Sequence, residues 1–201
     1  MIIEKLTVGS LSTNCYILGC EEMRTAAIID PGAQPKDILA ALERLELDPA
    51  YILLTHGHFD HTGAISRLRK ELPNIPVYLH PAEANLLGIN EIMPEVGETH
   101  DYGEGHVLPV GTIAVRIYHT PGHTPGGVTL RAGYNLFTGD TLFKGSMGRT
   151  DLGGDDAALR ASLKRLGSLP GDFRVLPGHG DETTMEAERW SNFCLIGAMK
   201  E

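Results

Sequence analysis

The sequence predicts an α/β domain in which sheets are covered by helices. Three observations predict it. Short β-branched or apolar runs bounded by Gly, Pro, Asp and Asn recur from the first residues to beyond residue 170. Segments with apolar residues at i, i+3 and i+4 spacing fall between and after two strand-rich halves. No Ser/Pro-rich linker, internal repeat or low-complexity tract divides the 201 residues, so one domain over 1–201 is expected.

In chain order, Ile2–Val8, Cys15–Leu18 and Ala26–Ile29 read as strands, separated by turn-forming stretches such as Gly9-Ser10 and Gly19–Arg24. Asp30-Pro31-Gly32 stops the third. Pro35 opens a helix whose Ile38, Leu39, Leu42 and Leu45 share one face. Tyr51–Leu54 is a short buried strand ending in a polar loop, Thr55–Thr62, and Ala64–Lys70 a helix. Val77–Leu79 is a strand, and Gly88 to Gly105 is loop-like, with the composition of either a flap over a substrate or a surface loop. Strands return at Ile113–Tyr118, Gly127–Leu130 and Leu136–Phe137. Asp155–Leu166 is an amphipathic helix carrying Leu159, Leu163 and Leu166, Val175-Leu176 a last strand, and Met185–Trp190 a last helix.

Composition narrows the function classes. The chain is 42% hydrophobic and 21% charged, and no apolar run approaches the ~20 residues of a membrane helix. Glu4 and Lys5 stand where a signal peptide carries its apolar stretch, so a cytoplasmic protein is expected. The net charge of −9, from 17 basic and 26 acidic residues without a Lys/Arg cluster, argues against nucleic-acid and membrane partners. Cys15, Cys20 and Cys194 are odd in number and form no CxxC, which speaks against a disulfide framework or a thiolate zinc site. Cys15 and Cys20 read as small core residues.

The chemistry is concentrated in Thr55-His56-Gly57-His58-Phe59-Asp60-His61. With nine histidines in the chain, His-x-His-x-Asp-His arises by chance in about one such sequence in a thousand. Directly after a strand, residues two apart project the same way, so His56 and His58 can hold one ion while Asp60 and His61 reach a second. His123 lies in Thr120-Pro121-Gly122-His123-Thr124-Pro125-Gly126-Gly127, Asp140 follows Phe137-Thr138-Gly139, and His179 lies in Pro177-Gly178-His179-Gly180. All are strand-end loops, where catalytic groups tend to be mounted. Five imidazoles and two carboxylates suit Zn²⁺, Fe²⁺ or Mn²⁺ and are too nitrogen-rich for Ca²⁺ or Mg²⁺. His80, His100, His106 and His119 read as surface or hydrogen-bonded core residues.

The order Thr55–His61, His123, Asp140, His179 resembles the metallo-β-lactamase fold superfamily. More narrowly it is similar to the hydroxyacylglutathione hydrolases (glyoxalase II) and their short bacterial relatives. Asn14–Leu18, Ile29-Asp30-Pro31-Gly32, Gly139–Phe143, Gly148-Arg149-Thr150-Asp151 and Pro177–Gly180 extend the resemblance over nearly the whole chain. It implies a four-layer αββα sandwich with two divalent metal ions, zinc first and iron or manganese as alternatives, at one edge of the two sheets. It implies that His56, His58 and His123 hold one ion, that Asp60, His61 and His179 hold the other, and that Asp140 bridges them. Asp60 and Asp140 would be the catalytic carboxylates, Asp30 a buried aspartate orienting the histidine loop, and Arg149 a basic contact to the substrate. Two departures stand out. Only 22 residues follow His179, too few for the family's C-terminal helical domain, and Asp181 stands where the larger enzymes carry a tyrosine.

The activity implied is hydrolysis of a thioester of a small-molecule thiol, such as S-lactoylglutathione, to a 2-hydroxy acid and free thiol. Two metals sharing Asp140 can lower the pKa of a bridging water to around 7 and hold it as hydroxide. A thiolate, with a thiol pKa near ~8.5, leaves without a proton donor, whereas an amine needs an acid. The alternative is a persulfide (sulfur) dioxygenase of the same fold, using one iron on His56, His123 and Asp140. An RNA-processing nuclease fits the net charge poorly, and a non-enzymatic, metal-stapled module fits the Cys-free ligand set poorly. β-Lactamases are set aside on the second histidine of Asp60-His61.

Overall fold

The computed structural model describes residues 1–86 and 96–201. The part of the Gly88–Gly105 loop at 88–95 lies outside the described residues. The first sheet holds β1 (Ile2–Val8), β2 (Thr13–Cys20), β3 (Thr25–Ile29), β4 (Asp48–Leu53), β5 (Val77–Leu79) and β6 (His100–Asp101), in that order across the sheet. Between β3 and β5 the chain forms α1 (Pro35–Leu45), α2 (Phe59–Thr62) and α3 (Ile65–Glu71). The second half adds β7 (Val107–Val110), β8 (Ile113–His119), β9 (Val128–Ala132) and β10 (Asn135–Gly139). A small hairpin follows, β11 (Leu142–Phe143) with β12 (Ser146–Met147), then α4 (Asp156–Gly167), β13 (Arg174–Pro177), β14 (Thr183–Thr184), α5 (Met185–Ser191) and α6 (Phe193–Lys200). The second sheet runs β14-β13-β10-β9-β8-β7.

Period-2 side-chain alternation builds the four layers. On β2, Tyr16 and Leu18 point between the sheets, where they meet Ile29, Leu53, Val115, Ile117, Leu130 and Phe137. Cys15 and Ile17 point the other way and pack with Ile38 and Leu42 of α1 and Ile65 and Leu68 of α3. On the far side, Leu136 and Val175 meet Leu163 and Leu166 of α4, Met185 of α5 and Leu195 of α6. Helix, sheet, sheet, helix is the sandwich the sequence resemblance implies. Both Cys15 and Cys20 are buried, as expected of core thiols.

Most expected elements are present with ends shifted by a few residues. Pieces not expected include α2, which takes up part of the polar loop Thr55–Thr62, β6, which lies inside the loop-like Gly88–Gly105 stretch, α6, the strand β7, the edge strand β14 and the β11–β12 hairpin. The last two have only two residues per strand, too short for a hydrophobic alternation to announce them. β3 and β4 pair in parallel, as do β10 and β13. Their C-terminal ends therefore lie side by side, and the loops that leave them meet at one edge of the sandwich. There Asn14 N–H donates to the Gly178 carbonyl at 2.7 Å, and the Tyr16 hydroxyl donates to the Pro177 carbonyl at 2.8 Å, joining the two sheets.

Candidate metal centre

The four loops converge. His56, His58 and His123 form one buried group with ligand atoms within 4.8 Å of one another, and Asp60, His61 and His179 form a second with the same property. Asp140 stands between them, with Oδ1 3.4 Å from His61 Nε2 and Oδ2 3.5 Å from both His123 Nε2 and His179 Nε2. All seven candidate ligands from the sequence are therefore neighbours. Neither group includes His80, His100, His106 or His119. His80 and His119 stack on each other instead, ring centroids 4.2 Å apart.

Hydrogen bonds set which nitrogen each imidazole presents. His61 Nδ1 lies 3.0 Å from Asp30 Oδ2, His123 Nδ1 2.7 Å from the Arg149 carbonyl and His179 Nδ1 3.1 Å from the Leu11 carbonyl. Each Nδ1 thus donates to an oxygen, which leaves Nε2 as the nitrogen presented to the centre. The Thr55 hydroxyl donates to Asp30 Oδ2 at 2.6 Å, which leaves its oxygen to accept from His56 Nδ1 at 3.1 Å. Asp30 thereby sets His61 directly and His56 through Thr55, and its Oδ1 also accepts the Thr55 N–H at 2.7 Å. Asp30 adopts φ +50°, the left-handed bend that turns its carboxylate under the histidine loop.

The donor set fits divalent cations on an observation independent of any resemblance. His56 Nε2 and Asp140 Oδ1 are buried without a hydrogen-bond partner, and His58 turns its Nδ1 inward, 2.8 Å from His123 Nε2. Buried polar atoms in native proteins are almost always satisfied, and His56 Nε2 and Asp140 Oδ1 belong to residues of the converging ligand groups. A cation is the partner they lack. Space is shaped to match: a Cβ on Gly178 would lie 2.3 Å from Asp140 Oδ1 and 2.7 Å from His61 Cε1, so only glycine allows that approach. Nitrogen and carboxylate ligands without thiolate accept zinc, iron or manganese.

The two groups differ in proton affinity. Burial pulls His56 well below the usual imidazole range, His58 to about 4 and His123 to about 3. Burial also works against a charged His61, but the Asp140 and Asp30 carboxylates outweigh it and lift His61 to about 9. His179 is raised against its burial by Asp60 and Asp140, and Asp60 is lowered against its own burial by His179 and His61. Burial raises Asp140. The three-histidine group is neutral and ready to ligate, whereas a cation entering the second group displaces protons.

Sequence reasoning missed Glu83. It is 1% exposed, and its carboxylate accepts the Gly57 N–H at 2.7 Å and the Gly126 N–H at 2.6 Å, joining the His56–His58 loop to the His123 loop. Burial raises its pKa. Thr13 was missed too, and its hydroxyl donates to Asp60 Oδ2 at 2.9 Å. Neither lies in a metal-ligand spacing, and only the fold brings them in.

A cleft of about 670 Å³ opens over the two groups. His58, Asp60, His123, Asp140 and His179 form its floor, and Leu11, Phe59, Phe143, Met147 and Leu152 give it apolar walls. Arg149 lines it as well, but its guanidinium is gripped by both Asp151 carboxylate oxygens, and its other contribution is the carbonyl that orients His123.

The chain matches the model of the Metallo-beta-lactamase superfamily over residues 8–179. It is 34% identical to the hydroxyacylglutathione hydrolase GloC of Haemophilus influenzae, over 96% of this chain and 97% of GloC. Among solved structures, TTHA1623 in a di-iron-bound form is 40% identical at a TM-score of 0.84, covering 94% of this chain and 98% of that one. BLEG-1, described as a B3 metallo-beta-lactamase, is 36% identical at a TM-score of 0.86, covering 98% and 100%. No helix among the described residues is long and apolar enough to cross a membrane.

Proposed function

The chain belongs to the metallo-beta-lactamase superfamily, and on that premise we propose that it is a metal-dependent hydrolase of thioesters, cleaving an S-2-hydroxyacylglutathione such as S-lactoylglutathione to a 2-hydroxy acid and the free thiol. The observation that carries the reading is the pair of ligand groups on either side of Asp140, with buried donor atoms left for a cation to satisfy. His56, His58 and His123 would hold one ion, Asp60, His61 and His179 the other, and Asp140 would touch both. Two such ions, zinc, iron or manganese, supply Lewis acidity to an acyl carbonyl and water acidified to near neutral pH.

The chain's own residues do the rest. Asp30, Thr55, the Arg149 carbonyl and the Leu11 carbonyl hold four imidazoles with Nε2 facing the centre, so no reorganisation is needed when substrate arrives. The Thr13 hydroxyl fixes the Asp60 carboxylate at 2.9 Å. The leaving group is selected by what the cleft lacks. Apart from the ligand set, its described lining offers only Ser146 and Arg149 as polar side chains. Neither is an acid at neutral pH. A thiolate departs without a proton, whereas an amine requires one. That chemistry, together with the likeness to GloC, favours a thioester over an amide.

The test is an assay of purified protein of known metal content on S-lactoylglutathione, following free thiol. Expected is stoichiometric thiol release, lost on chelation and regained on adding metal. Background turnover at full metal content overturns the reading. Oxygen uptake with glutathione persulfide at one iron per chain would put the dioxygenase in its place, and hydrolysis of a cephalosporin alone would put an amidase there.

A further inference from the structure

Resting on that hydrolase reading, the geometry points to Glu188 and Asn192 as positioning residues that fix the substrate-facing wall of the cleft from the C-terminal helices. The wall in question is the β11–β12 hairpin, which gives Phe143, Ser146 and Met147 to the cleft. Its two strands pair only through Leu142 with Met147 and Phe143 with Ser146. A hairpin of that length has no independent stability, so its position must be imposed.

Two buried polar side chains impose it. Asn192 is fully buried, and its Nδ2 donates to the Ser146 carbonyl at 2.9 Å, to the Phe143 carbonyl at 3.3 Å and to Glu188 Oε2 at 2.8 Å. One amide group thus grips both strands of the hairpin. Its Oδ1 accepts from Cys194 N–H and Leu195 N–H, capping α6. Glu188, 1% exposed on α5, accepts the Gly145 N–H at 2.8 Å on Oε2 and the Thr183 hydroxyl at 2.8 Å on Oε1. Gly145 sits at φ +71°, the left-handed residue of the hairpin turn. Strands, turn, α5, α6 and β14 therefore share one buried knot.

Neither residue belongs to a metal-ligand group, and neither lines the cleft. Their effect reaches the substrate only through the hairpin, whose Phe143 ring lies 6.1 Å from the His179 ring. Loosening the knot leaves the ions and their ligands in place and lets the apolar wall move. Substrate binding weakens while the chemistry at the floor is retained.

The test compares wild type with Asn192→Ser and Glu188→Gln by amide hydrogen exchange over residues 142–147, metal content and steady-state hydrolysis of S-lactoylglutathione. Serine keeps the cap of α6 but is too short to reach both carbonyls. Glutamine keeps an acceptor for Gly145 and Asn192, and the Thr183 hydroxyl turns to accept from its amide. In N192S the hairpin amides should exchange about tenfold faster and KM should rise roughly fivefold to tenfold, with kcat and metal content near wild type. E188Q should match wild type in all three. If N192S fails to fold, Asn192→Asp, which turns an oxygen toward the two carbonyls, carries the same expectation. Unchanged exchange, faster exchange with unchanged KM, loss of metal, or an E188Q as damaged as N192S each overturns the assignment. A wild type that turns over no thioester sinks the hydrolase reading alone, and the exchange rates then decide the clamp.

Discussion

The floor of the cleft and its outer wall are held in opposite ways. On the floor, His56, His61, His123 and His179 each direct one ring nitrogen at a protein oxygen and the other at the centre. The supports behind them, Asp30, Glu83, Thr55 and Thr13, are at most 2% exposed. On the wall, charged groups face solvent and pair with near neighbours, Arg149 with Asp151 and Lys144 with Asp181, and the remaining surface is apolar. A floor of that kind tolerates no change, because each support has a fixed role in ligand geometry. The wall rides on short turns and can be altered without disturbing the chemistry. Reaction type is written into the floor, and the choice of substrate into the wall.

The sharpest way to break the contrast is Asp30→Asn, for which the largest effect is expected. The substitution is isosteric. Its amide oxygen must face Thr55 N–H, now met by Asp30 Oδ1, so its NH₂ takes the place of Oδ2. There it donates toward the Thr55 hydroxyl and His61 Nδ1, both of which now donate to that position. His61 must move its proton to Nε2, and the Thr55 hydroxyl must turn to donate to His56 Nδ1, which moves the His56 proton to Nε2 as well. Both ligand groups lose a lone pair at once. Metal affinity should fall by about a hundredfold at both positions, the upper end of the range for supports of this kind. A metal-competition titration against a chelator reads it directly, and two equivalents bound with wild-type affinity would show that the tautomers are not set here.

A smaller effect, confined to one half of the floor, is expected of Glu83→Gln. Glutamine has one acceptor oxygen for two N–H donors, so either Gly57 or Gly126 loses its partner. An unpaired buried N–H costs about 1–3 kcal/mol. Because Glu83 ties the His56–His58 loop to the His123 loop, the three-histidine group should weaken by about tenfold while the Asp60-His61-His179 group is spared. Stepwise cobalt titration, with a melting curve of the chelated protein as control, separates the two steps. Equal weakening of both would make Glu83 a support of the whole fold.

What was legible in the sequence follows the same division. The floor shows because its residues are chemically distinctive and locally spaced: four candidate ligands within six residues, and Gly-flanked histidines at strand ends. β1 and β5 were read to the residue because their apolar runs end at strong breakers or short turns. Glu83 was not legible, since a lone glutamate in a short turn, Pro81–Leu86, looks like any solvated acid until the fold encloses it. The β11–β12 hairpin and the Asn192 knot were hidden for a related reason. Their bonds join residues more than forty apart in the chain to two-residue strands that carry no periodicity. Helix α6 escaped because it is apolar on nearly all sides, which blurs the 3.6-residue pattern.

The smallest effect belongs to the wall, at Arg149, the one Lys or Arg among the described residues that line the cleft. The sequence resemblance gives Arg149 to a substrate carboxylate. In the fold its guanidinium already has a carboxylate partner two residues along, in a pair that is 63% exposed on both sides. An incoming glutathione carboxylate would have to compete with Asp151, and exposed pairs of this kind contribute little either way. Arg149→Ala should therefore change KM for S-lactoylglutathione by no more than about threefold to fivefold and leave kcat intact, since the His123 support is the Arg149 backbone carbonyl and survives the substitution. Asp151→Asn frees the guanidinium and should lower KM for the anionic conjugate, with no change for an uncharged thioester. A large loss of kcat in R149A would place the side chain at the reacting atoms. Equal response of charged and uncharged substrates to D151N would remove charge from the selection of the thiol altogether.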